Sequence, residues 1–311
     1  MENIIAHLVN LGVLRGEIST TPISVGSGGA QLCRVDTPNG SFVVKHARRD
    51  FCREEALFEG CRKELAFYRL ADPLDLDFLP KLIYSEDNNN SEILLVLEYI
   101  PPVAHSDWNG ALLARAAELC ARIGSLPAET LAPIGMKWND MTIDQGFTDA
   151  SYADWVSVLN EHPGRFDRAL LDEIYHNIGK VPKILNSAPH CVVHGDFHPE
   201  NILYDGEKLY VCDWQGVGVG SPGGDVSFFI SRARGFGIEV NEDTFLDSYC
   251  TALSNCLGTT DNKSDIERIK KVSALMTTFS FWAHYLHGAD EGSVAVHFRE
   301  LEEGWDAVAD R

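Results

Sequence analysis

No apolar run in the chain approaches the ~20 residues needed to cross a bilayer. The opening residues, Met1-Glu2-Asn3-Ile4-Ile5, lack the basic stretch and long apolar core of a secretory signal. Positive charge is also scarce: 26 lysines and arginines stand against 46 aspartates and glutamates, a formal net charge of −20. Nucleic acids and anionic membranes are held by basic surfaces, so neither is an expected partner. The acidic excess suits a cationic ligand, but over the whole chain its simpler account is that it keeps the surface solvated. There is no regular cysteine spacing of a disulfide scaffold. The eight cysteines (Cys33, Cys52, Cys61, Cys120, Cys191, Cys212, Cys250, Cys256) are scattered, as expected of reduced thiols in a cytoplasmic protein. At 311 residues, 45% of them hydrophobic and 23% charged, the chain has an ordinary globular composition and room for two lobes with separate cores.

The chemistry is concentrated between Cys191 and Asp225. An apolar lead-in, Val192-Val193, opens into His194-Gly195-Asp196-Phe197-His198-Pro199-Glu200-Asn201. Ile202-Leu203-Tyr204, a turn at Asp205-Gly206, and a second strand from Lys208 to Cys212 then deliver Asp213. A hairpin of this kind returns the chain beside its start, so Asn201 and Asp213 are expected near one another. Phosphoryl transfer needs such a set: a carboxylate to aim the acceptor hydroxyl and oxygen ligands for magnesium on the phosphates. Asp196 is the candidate catalytic carboxylate, and Asn201 and Asp213 are the candidate metal ligands. A rival chemistry is zinc on His194, Asp196 and His198, but closed zinc sites use paired ligands at short spacing and no second pair follows.

The run H-G-D-x-x-x-x-N followed by D-W-Q resembles the catalytic segment of the kinase-like small-molecule phosphotransferases. That group includes aminoglycoside phosphotransferases and choline kinases and is distantly related to protein kinases, which have H-R-D-x-x-x-x-N and D-F-G at these points. The D-W-Q variant is similar to the ecdysteroid-kinase-like branch. The resemblance implies an α+β, two-lobed protein-kinase-like fold, with a small β-rich N-terminal lobe (residues 1–100) and a larger, mainly helical C-terminal lobe (101–311). It implies a small-molecule kinase using ATP, with GTP not excluded, and Mg2+. In it His194 braces the loop and His198 has no assigned role. A catalytically inactive nucleotide-binding scaffold of the same fold is the alternative, which a missing core group would favour.

Upstream, Ile23-Ser24-Val25 reads as a strand running into Gly26-Ser27-Gly28-Gly29, and strands at 31–36 and 41–46 are joined by Thr37-Pro38-Asn39-Gly40, a strong hairpin turn. A glycine-rich turn lets backbone N–H groups approach phosphate, making Gly26, Ser27, Gly28 and Gly29 candidate nucleotide contacts. Alone the signal is weak, because Gln31 stands where the third glycine of G-x-G-x-x-G would be. Lys45, in a half-buried strand, would bind phosphates and needs an acidic partner from the next helix, about 53–70. The family pattern of an acid shortly before an aromatic pair, here Phe67-Tyr68, selects Glu64, with Glu59 second. After strands at 81–84 and 93–97, Glu98-Tyr99-Ile100-Pro101-Pro102 breaks regular structure. In kinase-like folds this segment is the hinge, which would make Glu98, Tyr99 and Ile100 the base-reading residues.

Helical periodicity resumes at Trp108, and 127–166 reads as irregular before a helix at 166–178. Asp225 either caps the helix it opens or matches a family aspartate that accepts hydrogen bonds from the catalytic-loop backbone. The glycine-rich stretch 214–224 is far shorter than a protein-kinase activation segment and no A-P-E follows, so protein substrates are not expected. The remainder is helical, and its acids Asp290, Glu291, Glu300 and Glu302 are candidate acceptor contacts. The expected acceptor is a hydroxylated small molecule, cationic or neutral. Its identity and the oligomeric state are not written in the chain.

Overall fold

The structure, a computed structural model, describes residues 1–23, 30–74, 76–88, 91–258 and 263–309. Helix α1 (Glu2–Asn10) leads into an antiparallel sheet of β1 (Ser19–Pro22), β2 (Gln31–Thr37), β3 (Gly40–Arg48), β4 (Leu82–Asn88) and β5 (Glu92–Glu98), in the order β1-β2-β3-β5-β4. Helix α2 (Glu55–Ala71) sits between β3 and β4 in sequence. The first strand therefore lies earlier than Ile23–Val25, although Ile23 N–H still donates to Leu32 O at 3.1 Å. Ser24–Gly29, and with them the glycine-turn assignments to Gly26, Ser27, Gly28 and Gly29, lie outside the described residues.

The near-continuous apolar run of β5 follows from burial on both faces. Leu94 and Val96 pack with Val44, Val35 and Leu8 beneath α1, whereas Ile93, Leu95 and Leu97 pack with Phe58, Leu65 and Phe67 of α2. Lys45 lies opposite Leu95 in the β3–β5 register. By the two-residue side-chain period it therefore shares the face that meets α2.

Beyond Glu98 the chain is mainly helical: α3 (Gly110–Gly124), α4 (Gln145–Glu161), α5 (Arg168–Asn177) and α6 (Lys180–Ser187) precede the short strands β6 (Cys191–Val193), β7 (Ile202–Tyr204), β8 (Leu209–Val211) and β9 (Gly218–Gly220). Then come α7 (Gly223–Gly235), α8 (Glu242–Leu257), α9 (Lys263–Thr277), a π-helical turn (Thr278–Trp282), α10 (Ala283–Leu286) and α11 (Glu291–Ala309). One core joins α2, α3, α7, α8 and the β7–β8 hairpin; a second gathers α4, α5, α6, α9 and α11 around Trp155, Phe298 and Trp305.

The segment expected to be irregular contains the 17-residue α4. Its buried positions, Thr148, Ser151, Trp155, Val158 and Leu159, have helical spacing, but the first two are hydroxyl residues and broke the apolar pattern. Both hydroxyls bond to backbone carbonyls, Thr148 Oγ1 to Asp144 O and Ser151 Oγ to Phe147 O and Ser280 O, which is what permits their burial. Among the described residues no helix is long and apolar enough to cross a membrane.

Candidate active site

The loop between β6 and β7 is held by its own backbone and by Asp225. Gly195 adopts φ +78°, and a Cβ there would lie 2.2 Å from Gly216 O, so only glycine fits this crossing of the two loops. The N–H groups of His194 and Gly195 donate to Asp225 Oδ2 (2.7 Å) and Oδ1 (2.9 Å). Asp225 lies in the first turn of α7, whose N-cap is Pro222, so its carboxylate anchors the loop and does not cap the helix. Burial pushes the Asp225 carboxyl up to about 6, with the two N–H bonds pulling the other way.

His194 is fully buried and lowered to about 4 by that burial, hence neutral at ordinary pH. Its Nδ1 accepts from Asp196 N–H at 3.2 Å, and Nε2–H donates to Cys212 O at 3.0 Å. With both ring nitrogens engaged, His194 has no lone pair for zinc. Among the described residues no three His, Cys, Asp or Glu side chains group as metal ligands. All eight thiols are free, and burial pushes those of Cys61 and Cys212 up to about 12.

Asn201 Nδ2 donates to Asp196 O at 2.9 Å and to Asp196 Oδ2 at 3.2 Å. This uses the amide nitrogen and leaves Oδ1 available. Cys212 N–H donates to Asn201 O at 3.0 Å, placing Asp213 next to Asn201 through the β7–β8 pairing. Asp213 takes φ +62°, the one positive-φ non-glycine among the described residues. Strain of this kind, of order 1–3 kcal/mol, persists where the surroundings over-determine it. Here Trp214 does so: it is fully buried, stacked on Phe67 at 4.3 Å between ring centroids, with Nε1–H donating to Val211 O at 3.0 Å. The carboxylate and amide oxygens of Asp213 and Asn201 are the hard donors that suit Mg2+.

From the sheet, Lys45 Nζ reaches Glu64 Oε2 at 2.6 Å and Asp213 Oδ1 at 2.7 Å. Glu64 Oε1 also accepts from Trp214 N–H at 3.3 Å. Burial pulls the Lys45 pKa down, but the two carboxylates outweigh it and hold the ammonium above its ordinary value. Burial raises the Glu64 carboxyl, against the pull of Lys45. A proton on Glu64 would strip the buried ammonium of half its compensation, so the geometry favours the ion pair. Glu59, the second choice for this partner, instead meets Arg49 at 3.1 Å and Arg62 at 3.0 Å on the surface. Partial burial of Asp196 raises its pKa, but His198, His194 and Asn201 more than offset this and lower it below the usual carboxylate value.

In the segment expected to be the hinge, Glu98 N–H donates to Lys81 O and Tyr99 N–H to Ser41 O, and the segment is tied to β7 through Val103 N–H to Ile202 O and Tyr204 N–H to Pro101 O. Most of the late acids have partners of their own. Asp290 accepts from Ser293, Glu291 pairs with Arg165, Glu300 accepts from Thr278, and Glu302 is exposed. Helix α7 and its end supply Phe228 and Phe236 against His198 of the loop and Arg232 against Glu200, residues that sequence periodicity did not single out.

A sheet with a helix on each face, a mainly helical second part and a loop of this build form a two-lobed protein-kinase-like fold. The chain belongs to the phosphotransferase enzyme family, whose sequence model matches residues 19–257; the members of this family are small-molecule kinases. No curated protein matches the chain in sequence. Among solved structures it is similar to wild-type aminoglycoside 2′-phosphotransferase-IIIa in its GDP complex, at 13% identity and TM-score 0.61 over 99% of this chain and 98% of that one. Similar too are macrolide 2′-phosphotransferase from Brachybacterium faecium (15% identity, TM-score 0.56, 97% and 98% covered) and choline kinase from Cryptosporidium parvum Iowa II (14%, 0.57, 99% and 93%).

Proposed function

We propose that this chain transfers the γ-phosphate of ATP to a hydroxyl of a small molecule, with magnesium. The observation that carries the reading is the position of Lys45 Nζ between Glu64 and Asp213, the latter delivered by the hairpin that follows the loop holding Asp196 and Asn201. Lys45 would bind the phosphates as a buried point charge, kept extended by Glu64. Asp196, ionised and 43% exposed at its side chain, would orient the acceptor hydroxyl and take its proton. Asn201 Oδ1 and Asp213 would hold the metal, which when bound neutralises phosphate charge. With the Glu98 and Tyr99 N–H groups already used, Glu98 O and Ile100 N–H are left to read a base edge. Similar folds bind GDP, or AMP-PNP with Ca2+, and GTP stands as a second donor to test. The net charge of −20 favours a cationic or neutral acceptor over a polyanion. A panel of aminoglycosides, amino alcohols, sugars, nucleosides and sterols, screened for ATP consumption with wild type and Asp196→Asn, tests this. An acceptor-dependent signal lost in Asp196→Asn is expected. A signal that survives the substitution contradicts the role of Asp196, and a phosphorylated sugar as best acceptor contradicts the charge argument.

A further inference from the structure

One buried, polar side chain of the catalytic loop has no task in this scheme. His198 is 8% exposed, between the rings of Phe228 (centroids 6.0 Å apart) and Phe236 (6.4 Å). Its Nε2 lies 3.6 Å from Asp196 Oδ2, the oxygen that Asn201 Nδ2 also reaches. Its Nδ1 is buried without a hydrogen-bond partner, 4.0 Å from Glu200 Oε2, and that same oxygen stands 3.6 Å from Arg232. An unpartnered buried nitrogen is costly. In a pocket lined by phenylalanines, an apolar ring would serve packing better than imidazole does.

We propose that His198 is a positioning residue for Asp196. Its Nε2–H closes onto Oδ2 beside Asn201, pins the carboxylate in one rotamer and leaves Oδ1 to take the acceptor's proton. At 3.6 Å the contact is longer than a hydrogen bond. Such bonds tighten when the reacting group arrives. Arg232, laid over the Phe236 ring at 4.7 Å, holds Glu200 on the far side of the imidazole and limits how the ring can turn.

The inference rests on the kinase reading, and its test separates the two. Wild type, Asp196→Asn, His198→Phe and His198→Gln are compared for magnesium-dependent ATP hydrolysis with water as acceptor, and for AMP-PNP binding by calorimetry. His198→Phe is expected to lower turnover about 10- to 100-fold while the KM for ATP and AMP-PNP affinity stay within about threefold. His198→Gln, whose amide N–H can reach Oδ2, is expected to return turnover to within about fivefold of wild type. Turnover of His198→Phe within about twofold of wild type, or a His198→Gln as slow as His198→Phe, overturns the inference. If wild type neither binds nor hydrolyses ATP, the kinase reading fails by itself, and crystal structures of the two variants decide the positioning role. The Asp196 carboxylate should leave Asn201 in His198→Phe and stay in His198→Gln; an unmoved carboxylate in His198→Phe overturns it.

Discussion

Asp225→Asn should change the pH dependence of stability far more than stability at neutral pH. In wild type the Asp225 carboxyl sits at about 6 against an ordinary 3.8, because burial outweighs the two N–H groups of His194 and Gly195. A rise of that size is worth about 3 kcal/mol. The folded chain holds this proton more tightly than the unfolded one. The stability it contributes is therefore full below 3.8 and is lost as pH climbs through about 6. Asparagine carries no charge to desolvate, but it offers one acceptor oxygen to two donors, at a cost of about 1–3 kcal/mol. The two effects oppose, so at pH 7.5 the variant should lie within about 2 kcal/mol of wild type. Urea unfolding of both chains between about pH 4.5 and 7.5 measures the difference, in which groups common to both chains cancel. Wild type minus variant should fall by most of about 3 kcal/mol as pH rises through the window. A difference that is flat in pH would refute the buried-carboxylate account. Turnover of the variant should drop even where it is folded, because the anchored backbone carries Asp196.

Two further outcomes follow from the same geometry. Glu64→Gln leaves the Lys45 ammonium, 6% exposed, with Asp213 alone and should cost about 2–4 kcal/mol along with nucleotide affinity. Glu59→Gln, which touches only surface arginines, should stay within about 1 kcal/mol, and thermal denaturation with and without Mg·ATP checks both. Gly195→Ala drives a methyl into Gly216 O and should cost about 3 kcal/mol or more with loss of turnover, whereas Gly206→Ala, at φ +96° in open space, should cost only the local strain of about 1–2 kcal/mol. Equal melting temperatures for the two alanine variants would count against the loop crossing.

Local chemistry was legible in the sequence because its causes lie within a few residues. The Thr37–Gly40 turn joins β2 to β3 and the Asp205-Gly206 turn joins β7 to β8, where the dipeptides and apolar runs indicated. The helix expected at about 53–70 forms as α2, and the spacing from Asp196 to Asn201 to Asp213 announced one hairpin. What stayed hidden depends on partners far along the chain. Helix α4 escaped because Thr148 and Ser151 are buried through bonds to carbonyls, one of them on Ser280. The acids of α11 looked available until Arg165 and Thr278 engaged Glu291 and Glu300. Thus the sequence by itself determined the hairpins, the helix that follows β3 and the loop that carries the carboxylates, since turn chemistry and periodicity act over one or two turns of chain, and the two-lobed class followed from the resemblance its motifs carry. Only the tertiary structure decided which of the acids on α2 meets Lys45, that Asp225 anchors the loop instead of capping its own helix, and that His198 lies against Asp196. Glu64 reaches Trp214 across 150 residues and Asp225 reaches His194 across 31. Contacts of that span are fixed by packing of the cores on either side, which no local pattern encodes.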